Sequence, residues 1–216
     1  MALPPTNDRM RREPSVDLKP YFLTLDDLAA PLDWTTFFGN ENQVELDIGC
    51  GRGLFLVNAS TSHPQTNYLG IELDYKEGRR GARRLWKRSQ PNARVLGGDA
   101  RVALSKWIPR ESVAAVHVYF PDPWWKRKHK RRRLVTDEFV DLAAAVLEPG
   151  GLLHSWTDVE DYFSVIRALL DHHPAFETLP PLPEQAPAHD LDYQTSFERR
   201  KRQIGATIYR GRWRKR

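Results

Sequence analysis

The stretch Val44-Glu45-Leu46-Asp47-Ile48-Gly49-Cys50-Gly51-Arg52-Gly53 decides the fold. Val44, Leu46 and Ile48 alternate with acidic residues, the period-two pattern of a strand. Gly49, Gly51 and Gly53 follow at every second position, and a helix is expected from about Leu54. Glycine reaches positive φ cheaply and lacks a Cβ, so a ligand can lie close against such a turn. Strand, glycine turn and helix in that order open a nucleotide-binding, doubly wound α/β fold.

The spacing narrows the ligand. A dinucleotide fingerprint, G-x-G-x-x-G, needs a third glycine where the helix packs on the strand. Counted from Gly49, that position is Leu54. The chain instead reads Asp-x-Gly-x-Gly-x-Gly, with Asp47 ahead of the turn. A carboxylate there repels a pyrophosphate but suits the cationic methionine end of S-adenosylmethionine. The plainer alternative is an ordinary tight strand-to-helix turn.

Outward from this unit the chain alternates. Asn67–Glu72 reads as a second strand, 75–89 as a helix rich in arginine and lysine, and Arg94–Asp99 as a third strand. Ala100–Trp107 follows as a short helix and Ser112–Phe120 as a fourth, largely apolar strand. A helix near 137–147, a Pro149-Gly150-Gly151 turn, a strand over Leu152–Trp156 and a helix over Asp161–Leu170 complete the repeat. Such alternation predicts an open, mostly parallel sheet with helices on both faces. The four prolines of Pro180–Ala188 mark a loop, and Ile204, Ala206 and Ile208 within Gln203–Arg210 predict a last, antiparallel strand. Residues 1–20, with Pro4, Pro5, Pro14 and Pro20 among arginines, are expected to form a flexible basic arm, and residues 21–216 a single domain. Leu23–Phe38 is expected to pack over that domain as a short helix and loop.

Composition sets bounds. The chain has 216 residues, 40% of them hydrophobic, which suits one domain with a real core. One cysteine, Cys50, excludes an internal disulfide framework or a cysteine zinc cluster. His154, His172, His173 and His189 show no metal-ligand spacing, so no metal is expected. No apolar run approaches the ~18 residues of a membrane helix, and Met1–Pro14 lacks a signal-peptide core; a soluble, cytoplasmic protein with no membrane partner is the expectation. The formal net charge of +5 hints at an anionic partner.

Four acids fall at or just after the ends of successive strands: Asp47, Glu72, Asp99 and Asp122. Ligands of open α/β sheets bind at that edge. A carboxylate at Glu72 can take both hydroxyls of a cofactor ribose, and Asp99 can accept from an adenine amino group. The plainer reading of each is a cap on the next helix. In Phe120-Pro121-Asp122-Pro123-Trp124-Trp125 two prolines bracket one acid and aromatic residues flank it. That arrangement can hold a planar base against an aromatic face and offer it a carboxylate. Directly after it, seven of the eight residues Lys126-Arg127-Lys128-His129-Lys130-Arg131-Arg132-Arg133 are basic. Such runs are often only a solvated segment, but beside this acid the run would draw phosphates to the site. A second basic block, Arg199–Arg202 and then Arg210–Arg216, flanks the same crevice and favours an RNA-sized partner. Asp158 and Thr195-Ser196-Phe197-Glu198 are candidates for the substrate side.

With these residues in view the chain resembles the bacterial tRNA (guanine-N7-)-methyltransferases. The resemblance rests on Leu46–Gly53, Gly70-Ile71-Glu72, Gly98-Asp99-Ala100, Phe120–Trp124 with its basic run, Thr157-Asp158 and Thr195-x-Phe197-Glu198, covering about residues 40 to 210. It implies a seven-stranded class I methyltransferase fold and methylation of N7 of a guanosine in the tRNA variable loop. It further implies that Asp47, Glu72, Asp99 and Asp122, with the turn of Gly49, Gly51 and Gly53, contact S-adenosylmethionine or its neighbourhood, and that Asp122 is catalytic. Lys126, Asp158 and Thr195 to Glu198 match substrate-binding positions, and Lys128, His129, Lys130, Arg131, Arg132 and Arg133 the RNA-contact segment. The chain departs from the family pattern in having Asp47 where Glu is frequent and Ser196 where many members have Lys. Rival readings are a methyltransferase acting on an exocyclic base nitrogen or an amide, whose motif usually shows two adjacent prolines after the acid or amide, and a non-catalytic tRNA-binding protein. A monomer or a homodimer fits the sequence equally.

Overall fold

The first strand and glycine turn set the frame. The computed structural model describes residues 16–181 and 195–216. Val44–Ile48 is strand β2, preceded by a short β1 (Phe22–Thr24) and helix α1 (Trp34–Phe38). Then α2 (Leu54–Ser62), β3 (Asn67–Glu72), α3 (Tyr75–Lys87), β4 (Ala93–Gly97), α4 (Ala100–Lys106) and β5 (Val113–Tyr119) alternate as expected. A 3-10 turn over Arg127–Arg132 leads to α5 (Asp137–Val146), β6 (Leu147–Thr157), α6 (Glu160–Asp171) and β7 (Phe176–Leu179). Helix α7 (Ser196–Gln203) and β8 (Tyr209–Lys215) close the chain.

The strands form one sheet in the order β1-β4-β3-β2-β5-β6-β8-β7. Pairing is parallel from β1 through β6, and β8 runs antiparallel to both β6 and β7. Helices α2 and α3 pack over one face around Phe55, Leu56, Ala82 and Leu85. The other face carries α1, α4, α5 and α6 around Phe139, Tyr162, Ile166 and Leu104. With both faces covered, β3 is buried from Asn67 to Ile71 and shows little alternation. Gly70 of β3 is where α2 comes closest, since a Cβ there would lie 2.5 Å from Leu56 Cδ1 and 2.6 Å from Cys50 Sγ.

The doubly wound sheet has eight strands rather than seven. The added β1 is three residues long, too short for periodicity to reveal, and it forms on the outer edge of β4 through Phe22 opposite Val95. Short β1 and β7 blunt both sheet edges. Two boundaries also differ from expectation. Pro149-Gly150-Gly151 lies inside β6 as a bulge, where pairing with β5 jumps from Val113–Leu147 to Ala115–Leu152. Of the expected last strand over Gln203–Arg210 only Tyr209 and Arg210 are strand; the rest is the end of α7, a turn and loop. The true β8 lies further on, because Trp213, 1% exposed, is the side chain that anchors it, donating to Asp171 Oδ1 at 2.7 Å. The basic segment from Arg210 is thus part of the sheet. The expected arm lies mostly outside the described residues; at its described end Leu18 is buried in the core. The proline loop lies largely outside them too. Among the described residues no helix is long and apolar enough to cross a membrane.

Candidate active site

The crevice at the carboxyl ends of β2, β3, β4 and β5 collects the predicted acids. One half, about 440 Å³, is lined by Glu72, Leu73, Asp99, Asp122, Trp124 and Leu134 among others. The adjoining half, about 420 Å³, is lined by Asp47, Gly51, Arg52, Phe55, Arg84 and Thr195 among others. Gly49, Tyr119, Phe120 and Phe197 border both. Both volumes fall in the range of small-molecule sites.

The glycine turn is built by the sheet beneath it. Gly49 N–H donates to Ile71 O (2.8 Å), and Gly51 N–H to Glu72 Oε2 (2.8 Å). Gly51 and Gly53 take φ of 52° and 67°, a region costly for other residues. An added Cβ at Gly49 or Gly51 would meet no protein atom within 4 Å, so that backbone faces open space. Behind the turn α3 touches it directly: a Cβ on Gly81 would lie 3.2 Å from Gly51 O and Arg52 C.

The four acids differ in their surroundings. Asp47 is 3% exposed. Burial, and then the charge of Glu72, push its carboxyl up to about 8. Glu72 uses one oxygen on Gly51 N–H and the other on Asp74 N–H (2.8 Å). Asp99 does cap a helix, accepting from Arg101 N–H of α4 at 2.8 Å, while still bordering the cleft. Asp122 is exposed in the cleft. Its backbone is held between two residues in the left-handed region, Phe120 (φ 51°) and Trp124 (φ 43°), where non-glycine residues are strained.

The loop holding Asp122 is tied from both sides. Phe120 N–H donates to Trp156 O (2.7 Å). Arg133 Nε donates to Pro123 O (2.8 Å), its guanidinium lies over the Tyr162 ring, and its carbonyl accepts from Arg101 Nη2 at 2.6 Å. Arg132 lies over the Trp124 ring, which also meets His129 edge-on. Arg132 and Arg133 therefore brace the loop. Lys126, Lys128 and Arg131 are exposed. The side chains of Lys130 and Ser196 lie outside the described set.

Helix α7 crosses the crevice. Thr195 caps it, accepting from Glu198 N–H at 2.9 Å. Buried Glu198 accepts from Arg202 Nε at 2.8 Å and lies 3.6 Å from Arg210 Nη2. Asp158, at the end of β6, pairs with Lys201 Nζ at 2.8 Å. These bonds fix the helix so that Phe197 reaches the cleft and packs on Phe120, with ring centroids 5.0 Å apart.

Sequence reading missed Tyr119 and its support. The Tyr119 hydroxyl lies 2.9 Å from His117 Nδ1, and His117 Nε2 lies 2.7 Å from Glu45 Oε2. His117 and Tyr119 are two apart on β5 and so share a face, which was the available signal. Glu45 lies 72 residues away in sequence. His154 stacks on His117 (5.0 Å), and burial first, then its neighbour's charge, bring its pKa down to about 3.

A family model described as a putative methyltransferase matches residues 41–211. A tRNA (guanine-N(7)-)-methyltransferase of Rhodopirellula baltica is 42% identical over 210 residues, spanning 94% of this chain and 77% of the relative. One of Hydrogenovibrio crunogenus is 36% identical over 193 residues, spanning 88% and 78%. Among solved structures the 16S rRNA methyltransferase KamB shares the fold, with a TM-score of 0.61 at 16% identity over 84% of this chain and 92% of that one. Crevice, turn and acids thus stand in a chain that matches these relatives over most of its length, and the chain belongs to the tRNA (guanine-N(7)-)-methyltransferase family.

Proposed function

We propose that the protein transfers the methyl group of S-adenosylmethionine to N7 of a guanosine in the variable loop of tRNA. The observation that carries this reading is the joint placement of Asp122, Glu72 and Asp99 in one cleft, with the exposed cations Lys126, Lys128 and Arg131 following it in the chain. The residues present suit the cofactor. Asp47 is a buried carboxyl held near 8, and a cationic amino group beside it offsets the cost of ionising it. Arg52 and the amino end of α2 suit a carboxylate. Glu72 and Asp99 border the half of the cleft that would take ribose and adenine.

Bound cofactor supplies a methyl group on positively charged sulfur. Guanine N7 carries a free lone pair and no proton, so the protein needs no strong base. Its work is alignment, which can remove ~7–11 kcal/mol of a barrier. In this reading Asp122 accepts from the N1–H and amino edge of guanine, fixing N7 toward the methyl group, and its charge offsets the positive charge growing on the base. Phe197 and Phe120 offer the base an aromatic wall. Asp158, Thr195 and Glu198 hold α7 so that Phe197 stands there. Lys126, Lys128, His129, Lys130 and Arg131 meet RNA phosphates, Ser196 belongs to the same contact surface, and Arg132 and Arg133 hold the loop.

Digesting methylated tRNA to nucleosides tests this. 7-Methylguanosine as the labelled product supports it. N2- or N6-methylated product overturns the base position, and tRNA binding without transfer overturns the enzyme.

A further inference from the structure

The outer face of helix α3 is not used by the site just described, and it is strongly basic. From Lys76 to Arg88 it presents seven basic residues and a single acid, Glu77. The face turned inward is narrow and small: Gly78, Gly81, Ala82 and Leu85. Lys76, Arg80 and Lys87 are exposed and recur at helical spacing along one stripe, with Arg79 and Arg88 exposed on its flanks. Like charges four apart, such as Lys76 and Arg80 or Arg84 and Arg88, oppose the helix. Glu77 does little to relieve them, since it is shared between Arg52 and Arg80.

Helix α3 borders the crevice through Glu77 and Arg84. Arg52, Arg84, Arg199 and Arg200 line the half beside the glycine turn. Arg84 Nη1 donates to Arg52 O at 3.1 Å. Partial burial first, then the charges of Arg52, Arg88 and Arg199, hold the Arg84 guanidinium below its ordinary pKa. Helix α3 spans 13 residues, about 20 Å at 1.5 Å per residue. Tyr75 (46% exposed) and Trp86 (41% exposed) stand at its two ends, and exposed aromatics beside cations suit unpaired bases as well as phosphates.

We propose that this face of α3 is a docking lane for the RNA backbone, holding the substrate on the side of the crevice away from the 126–133 segment. This rests on the tRNA reading above. Charge complementarity selects the occupant: a target base seated in the crevice leaves the remaining RNA outside it, and the basic face belongs to the helix that borders the crevice.

The test is tRNA binding by wild type and by a Lys76→Gln/Arg80→Gln/Lys87→Gln variant across a salt series, with S-adenosylmethionine binding and thermal melting measured on the same samples. Each lost phosphate contact lowers the salt slope by about 0.7–0.9. The lane predicts a slope smaller by about 2, tRNA affinity down at least about tenfold at 0.1 M salt, unchanged cofactor binding, and unchanged turnover at saturating tRNA. A variant that keeps wild-type affinity and slope overturns the lane while leaving the enzyme reading intact. If wild type methylates no tRNA, the enzyme reading fails and the lane with it. Should the triple variant lose cofactor binding, Lys87→Gln/Arg88→Gln at the carboxyl end of the helix decides, with the same two outcomes. Unchanged tRNA binding with lost binding to anionic vesicles assigns the face to a membrane surface and overturns the proposal.

Discussion

Asp47 ends β2 in a buried setting where burial, then Glu72, raise its carboxyl to about 8. Its folded pKa lies above the unfolded value of about 4, so between those values the folded form holds the extra proton. Its contribution to stability is full below about pH 4 and is lost as pH rises through 8. The free protein should therefore melt at a lower temperature at pH 8.5 than at pH 6, and Asp47→Asn should flatten that slope. Ionising Asp47 against a cationic ligand releases the proton. S-adenosylmethionine affinity should then rise between pH 6 and 7.5, at most about tenfold per unit, with proton release visible by calorimetry in buffers of different ionisation heat; Asp47→Asn should bind more weakly and without that dependence. Asp122 is exposed and does a different job. Asp122→Ala should cut single-turnover methyl transfer about 10²–10³-fold while cofactor binding changes only a few-fold. Equal losses in both would assign Asp122 to cofactor binding alone.

At the scale of elements, the glycine turn and α3 behave as one unit. Gly81 in α3 lets the helix rest against Gly51 O at a distance where a Cβ would sit 3.2 Å away. Glycine to alanine inside a helix ordinarily gains about 1 kcal/mol. Overpacking against backbone costs about 1–3 kcal/mol, and here the backbone is the turn proposed to hold the cofactor. Gly81→Ala should weaken S-adenosylmethionine binding about tenfold with little change in melting temperature, as titration calorimetry and a thermal scan would show. The turn itself was legible because strand, glycines and helix are adjacent in sequence. The last strand was not. Ile204, Ala206 and Ile208 carry the better alternation, but Trp213 has the buried slot and the Asp171 partner, both supplied by distant α6. Trp213→Ala should cost about 3–5 kcal/mol, read as a lower urea midpoint.

The whole molecule shows why the acids could be named in advance and their supports could not. The strand order β4-β3-β2-β5 carries Asp47, Glu72, Asp99 and Asp122 to one sheet edge, and that order follows from alternating elements joined by short connections. Asp99 both caps α4 and borders the cleft, so the two readings of that residue were never exclusive. The bracing of Pro123 O by Arg133, the Glu45–His117–Tyr119 chain and the Lys201–Asp158 pair all join residues brought together only by the folded sheet. Residue type announced a basic run; only the fold divides it into cations that brace the Asp122 loop and cations left exposed. The central claim concerns one atom of one base. Labelled S-adenosylmethionine should be reacted with unmodified tRNA transcript, and the product treated with borohydride and aniline, which cleave RNA at 7-methylguanosine. The account predicts label incorporation and scission at a single variable-loop guanosine; label without scission, or no label despite bound cofactor, would contradict it.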